Sequence, residues 1–199
     1  SSMSRENSDH SLWRAAIAAG TNVVIGTSGL AASDYGEIDD AARTRGVGVI
    51  AAGNFSLTAT LMQRFALMAA SLVPDVEIID YAGAKKPDVP SGTARELAER
   101  LGEARVGQST ALPVSGLHGP QETRGAAIAG IPVHSLRMPG YVLSCEAIFG
   151  MPDERLSIRH DAGAGAGPYV AGTLLAIRKV KGRIGLTRGL DVLLFGDAR

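Results

Sequence analysis

Two short apolar runs constrain this chain most: Val23-Val24-Ile25 and Val47-Gly48-Val49-Ile50-Ala51-Ala52. Neither alternates with polar residues, and each runs into a turn, Gly26-Thr27-Ser28-Gly29 and Gly53-Asn54-Phe55-Ser56. A strand that is apolar on both faces has to be covered on both faces, which is the situation of a parallel sheet layered with helices. Helical patterns stand where that layering needs them. Asn7–Gly20 carries Leu12, Trp13, Ala16 and Ile17, with Asn7 or Ser8 as N-cap and Gly20 as stop. Ser33 or Asp34 opens a second helix that runs to Arg45 and closes at Gly46. A third spans about Ser56 to Leu72, with Leu57, Leu61, Phe65, Met68 and Leu72 on one face. Helix and strand alternating at this spacing predict right-handed crossovers on a parallel sheet.

Beyond Pro74 the pattern changes. Val76–Asp80 reads as a strand, Tyr81–Val89 as a loop, and Pro90-Ser91-Gly92-Thr93 as the start of a helix reaching Arg105. Ile131–Met138, Val142–Phe149 and Arg155–His160 are β-rich and joined by Pro139-Gly140 and Pro152-Asp153. Such short joints predict antiparallel neighbours. Pro168–Lys179 is again helical, and Leu190–Phe195 is a terminal apolar segment. The change of style places a boundary near Leu72–Asp75, giving segments 1–73, 74–180 and 181–199. The Ala162–Gly167 run of alternating alanine and glycine has no assigned role.

Composition excludes several classes of function. Twenty basic residues balance 20 acidic ones, so there is no electrostatic footprint for nucleic acid or an anionic membrane surface. Cys145 is the lone cysteine, which leaves no internal disulfide or cysteine-rich metal site. His10, His118, His134 and His160 show no metal-ligand spacing. With no apolar run near the ~18 residues of a span and a polar start, the expectation is a cytoplasmic protein without a bound metal.

Two places can carry chemistry. The first is the pair of strand ends. Ligands of open α/β sheets bind beyond the carboxyl ends of strands, and there Gly26 and Gly53 expose backbone while Thr27, Ser28 and Asn54 offer polar groups. No G-x-G-x-x-G turn accompanies them. The second is Lys85-Lys86-Pro87-Asp88-Val89-Pro90-Ser91-Gly92-Thr93-Ala94. Only four lysines occur in the chain, and two stand here, directly before a helix start. Free N–H groups, a positive dipole end and ammonium groups together make a site for a carboxylate or phosphate.

The second segment, taken with Val76-Glu77-Ile78-Ile79 before it, resembles the signature loop of the 4-hydroxy-tetrahydrodipicolinate reductase (dihydrodipicolinate reductase) family. Val23–Gly29, Ala51–Ser56, Ile131–Gly150, Ile158–Asp161 and Gly172–Ala176 resemble other segments of that family, so the likeness runs over nearly the whole chain. The resemblance implies an α/β protein: a partial Rossmann-like parallel segment followed by an α+β mixed-sheet domain for substrate binding and homotetramer assembly. The last segment would return to the first domain. It also implies reduction of a cyclic unsaturated or imino dicarboxylate in the lysine/diaminopimelate pathway by NADH or NADPH. On matching positions, Gly26, Thr27, Ser28, Ala52, Gly53, Asn54 and Phe55 would line the nicotinamide side. Gly92 and Thr93 would contact the substrate carboxylate and Lys86 would be the catalytic lysine, while Ser91 and Lys85 join the substrate site through the anion-site reading above.

Two departures accompany this likeness. Where the family's loop usually carries two adjacent histidines, the first a proton donor, this chain has Ala82 and Gly83. Neither side chain transfers a proton, and a general acid is worth ~10²–10⁴ in rate. Tyr81 and Lys85 stand nearby as possible substitutes. In addition, the likeness begins just before the helix at Asn7, without the family's opening strand, glycine-rich turn and ribose-reading strand, so an intact dinucleotide is expected to bind poorly. A paralogue acting on another imino or keto acid, and a non-catalytic binding or assembly protein, are the alternative readings.

Overall fold

The structure, a computed structural model, describes residues 12–27 and 30–196. Two compact units divide these residues: 12–60 with 166–196, and 61–165.

In the first unit a helix over residues 12–18 (α1) precedes β1 (Val23–Ile25), α2 (Ala32–Arg45) and β2 (Gly48–Ala51). The start expected for α1 at Asn7 or Ser8 lies outside the described residues. α2 stops where Gly46 turns left-handed (φ 68°), and at its other end Asp34 accepts the Ala31 N–H at 2.6 Å. β1 and β2 pair in parallel, Ile25 opposite Ala51. Trp13, Ile17, Ile25, Ile38, Ala42 and Val49 form the core on one side. Helix α5 (Gly167–Val180) closes another core with Ile50, Phe55, Ala176 and Leu190. That packing requires glycine at 172, because a Cβ there would sit 2.0 Å from the Phe55 carbonyl oxygen. The chain ends with β8 (Gly185–Arg188), parallel to β2, and the short helix α6 (Asp191–Phe195). The apolar pattern gave no sign of β8.

The second unit is built on β3 (Asp75–Ala82), the centre of a five-stranded sheet in the order β4-β5-β3-β6-β7. Its other strands are β4 (Ala126–Ile128), β5 (Ile131–Arg137), β6 (Leu143–Met151) and β7 (Glu154–Ala162). Helix α4 (Gly92–Ala104) lays Ala94, Leu97, Ala98 and Leu101 on one face of this sheet, against Val76, Ile78, Ile131, Val133, Ala147 and Phe149.

Four expectations change here. The unit boundary falls inside helix α3 (Leu57–Ala70) and before α5, rather than at 73/74 and 180/181. Phe65 and Met68 of α3, and Leu72 just beyond it, are exposed, while Ala59, Met62, Ala66 and Ala70 are buried. Alanines let this face approach its neighbours closely, with Met62 filling the space between them. β3 runs through Tyr81 and Ala82 because it is paired on both sides there, with Leu136 and Arg137 of β5 and with Ser144 and Leu143 of β6. Finally, β5 and β6 are not neighbours, since β3 lies between them, parallel to β5 and antiparallel to β6. Residues 138–142 therefore cross the end of β3, a step of ~10 Å that so short a connection spans easily.

Candidate functional site

The carboxyl end of β3 and the start of α4 come together in the second unit. Ser91 caps α4, its hydroxyl oxygen accepting the Ala94 N–H at 3.4 Å. The same hydroxyl donates to Asp80 Oδ1 at 2.7 Å, and the Ser91 N–H donates to Asp80 Oδ2 at 2.9 Å. Ser91 is thus fully committed to the cap. The N–H groups of Gly92 and Thr93, in the first turn of the helix, have no intrahelical acceptor. Gly92 is exposed and Thr93 half-buried, so both amides stand near the surface at the positive end of a 13-residue helix. The sequence analysis assigns an anion site to this terminus, and these two amides are the groups it would use.

The two lysines differ. Lys85 is exposed. Lys86 is half-buried and its Nζ lies 2.9 Å from Asp88 Oδ1, within the same loop. That hydrogen bond from the ammonium holds the Asp88 carboxyl below the usual carboxylate range. The loop is further pinned by the Lys86 N–H to the Gly83 carbonyl at 3.0 Å, and the Val89–Pro90 peptide is cis. Ala82 is fully buried, its carbonyl accepting the Met138 N–H at 3.2 Å. A Cβ on Gly83 would lie 3.2 Å from the Tyr141 carbonyl oxygen, within the crossing segment 138–142.

Tyr81 does not join this group. Neighbouring side chains of a strand point to opposite faces, so with Asp80 directed at Ser91, Tyr81 is directed away. Its hydroxyl donates to Glu146 Oε2 at 2.8 Å, its ring carries the Arg159 guanidinium at 4.5 Å, and Tyr141 lies 5.0 Å away. Burial, then the bond to Glu146, push its phenol up to about 12. The expectation that Tyr81 could replace a proton donor in the loop is corrected by that placement.

In the first unit the predicted strand ends do lie side by side, with the Ala52 N–H donating to the Ile25 carbonyl at 3.0 Å. Gly26 and Gly53 are exposed and Thr27 is half-buried; Ser28 lies outside the described residues. Asn54 spends its Oδ1 on the Ser56 N–H at 2.8 Å, an Asx turn that shapes the loop. Ala52 and Phe55 are buried core residues, and the Phe55 ring would be in ordinary contact with a Cβ at Gly26, 3.5 Å away. A cavity of about 450 Å³ along β8, lined by Arg183, Thr187, Arg188 and Val192 among others, contains none of the predicted residues.

The family described as dihydrodipicolinate reductase, C-terminus, matches residues 58–193. A 4-hydroxy-tetrahydrodipicolinate reductase of Clavibacter michiganensis subsp. michiganensis is 41% identical over 180 residues, 90% of this chain and 64% of that protein. One of Mycolicibacterium vanbaalenii is 39% identical over 176 residues, 88% of this chain and 71% of that protein. The chain belongs to the dihydrodipicolinate reductase family.

A solved member of this family, the dipicolinate-bound dihydrodipicolinate reductase from Paenisporosarcina sp. TG-14, superposes with a TM-score of 0.82 at 30% identity, covering 95% of this chain and 70% of that one. The parallel and mixed sheets described above are thus the fold of a dihydrodipicolinate reductase. The chain spans 64% of the length of the Clavibacter michiganensis relative and 65% of that of a second reductase, from Clavibacter sepedonicus. Among the described residues no helix is long and apolar enough to cross a membrane, and no group of three or more His, Cys, Asp or Glu could hold a metal. The sequence reading missed two residues at the loop of this dihydrodipicolinate reductase relative, Asp80 and Arg137, whose side chains meet at 2.7 Å.

Proposed function

We propose that this chain is the substrate-binding and later cofactor-binding part of a nicotinamide-dependent reductase for a cyclic, unsaturated or imino dicarboxylate, within lysine/diaminopimelate synthesis or a related route. The observation that carries this reading is the α4 terminus, where Ser91 is committed to Asp80 and the Gly92 and Thr93 amides have no intrahelical acceptor, with Lys86 in the loop that leads into the helix. One substrate carboxylate accepts from the two amides, and the ammonium of Lys86 exchanges its contact with Asp88 for one with the substrate; Lys85, exposed beside it, adds long-range attraction.

Bound NADH or NADPH supplies a hydride. On this chain the exposed backbone of Gly26 and Gly53, with half-buried Thr27 between the strand ends and Asn54 shaping the turn, is the part assigned to the nicotinamide ring. Ala52 and Phe55 form the floor beneath it. A hydride added across a C=C or C=N bond has to be matched by a proton, and with Ala82 and Gly83 in the loop Lys86 is the titratable group placed to deliver it. The homotetramer implied by the family and a cytoplasmic setting belong to this same reading.

Isothermal titration of the chain with pyridine-2,6-dicarboxylate tests the pocket. Binding that falls ~10-fold or more in Lys86→Ala supports it. No binding, or equal binding to Lys86→Ala, removes it. Oxidation of NADH or NADPH by the full-length encoded protein with the cyclic substrate then tests the redox step. A protein that binds the dicarboxylate and oxidises neither cofactor fits instead the non-catalytic alternative.

A further inference from the structure

The charged groups beneath the anion loop form a connected set that no substrate atom need touch. Asp80 is fully buried. Besides the two bonds from Ser91, its Oδ2 accepts from Arg137 Nη2 at 2.7 Å and from the Ser135 hydroxyl at 3.3 Å. Nη2 of Arg137 also donates to the Asp88 carbonyl at 2.7 Å, and Nη1 donates to the carbonyls of Leu136 at 2.8 Å and Asp80 at 3.4 Å. The Arg137 side chain is only 14% exposed.

Taking both charges out of water opposes folding, and an apolar pair of the same volume often serves stability as well or better. What an apolar pair could not do is hold the loop at two points. Arg137 fixes the backbone at Asp88, two residues after Lys86, while Asp80 fixes Ser91, directly before Gly92. Both anchors stand on adjacent, parallel strands paired from Ile78–Val133 to Ala82–Arg137, which makes the base rigid. A planar guanidinium can reach a carboxylate and a carbonyl together; the single ammonium of lysine cannot do so in the same geometry.

We propose that Asp80 and Arg137 are positioning residues of the anion site: their buried pair clamps the 88–91 segment from below, aiming the Gly92 and Thr93 amides and setting the reach of Lys86. This inference rests on the dicarboxylate reading of the loop. A pair that served only to hold the sheet together would change the melting temperature and leave the affinity of the folded protein unchanged.

The test compares the parent chain, Arg137→Lys, and the double variant Asp80→Asn/Arg137→Met, which removes both charges and so leaves neither buried alone. Affinity for pyridine-2,6-dicarboxylate is measured by titration calorimetry, and folding by thermal melts. The expected result is an affinity loss of ~10-fold or more in both variants, with the melting temperature of the double variant close to the parent's. Affinity within ~2-fold of the parent in a folded variant overturns the proposal. Should the double variant not fold, Arg137→Lys alone decides by the same threshold. Absence of binding in the parent is a different failure: it removes the dicarboxylate reading itself and this inference with it.

Discussion

Arg137 and Asp80 meet at 2.7 Å between β5 and β3, and the same guanidinium nitrogen also donates to the Asp88 carbonyl at 2.7 Å. One buried cation thereby ties a strand to the loop that carries Lys86. The chemistry proposed for the loop depends on this tie, because Lys86 and the α4 amides act on the same ligand only if the backbone between them is held.

The ion pair between Lys86 and Asp88 is internal competition for a substrate carboxylate. Asp88→Asn removes the competing charge while keeping the backbone carbonyl for Arg137. A partly exposed pair of this kind is worth ~0.5–1 kcal/mol, so affinity for pyridine-2,6-dicarboxylate is expected to rise by ~2–5-fold. Titration calorimetry reads this directly, and a fall in affinity would show that Asp88 supports the site rather than occupies it.

Tyr81 is expected to ionise well above the ordinary range of a phenol. Its phenol is raised to about 12 by burial and by the bond to Glu146, so the neutral form is favoured in the folded chain. The stabilisation is fully present below the unfolded value of ~10 and is lost as pH rises through about 12. Absorbance at the tyrosinate band should show a phenol titrating at about 12 that Tyr81→Phe removes, with little change in dicarboxylate affinity. A large loss of affinity in that variant would return Tyr81 to the site.

Cys145 is buried on β6, opposite Asp80, and burial pushes its thiol up to about 12. The native protein is expected to resist thiol reagents at neutral pH and to react with one equivalent once denatured. Rapid labelling of the native state would contradict the described core.

Placing histidine at Ala82 and Gly83 tests how closely the loop is built around their small side chains. Ala82 is fully buried, and a Cβ at Gly83 already meets the Tyr141 carbonyl at 3.2 Å. Overpacking of this kind costs ~1–3 kcal/mol, so urea denaturation should show a lower midpoint for Ala82→His. Unchanged stability would mean that the strand end opens to admit the larger ring.

The parallel layering was legible because strands buried on both faces carry continuous apolar runs, as β1 and β2 do. The α4 terminus was legible because Ser91, Gly92 and Thr93 are cap chemistry, readable without the rest of the fold. β8 was not, since Gly185-Leu186-Thr187-Arg188 gains its place from β2, 134 or more residues earlier. The order β5-β3-β6 was hidden for a similar reason: a short connection looks the same whether it joins neighbours or steps over a strand. Asp80 did leave a sign. Val76, Ile78 and Asp80 share one face of β3, so the period-two pattern sets a carboxylate in line with core residues, where it needs a cation. Arg137 could be chosen as that cation only once the parallel register with β5 was known.

The most direct measurement of the central claim is an amide nitrogen–proton correlation spectrum of the chain titrated with pyridine-2,6-dicarboxylate. The account predicts that the Gly92 and Thr93 amides move most, saturating together, and that Lys86→Ala weakens the response. Shifts confined to other residues, with Gly92 and Thr93 unmoved at saturation, would contradict it.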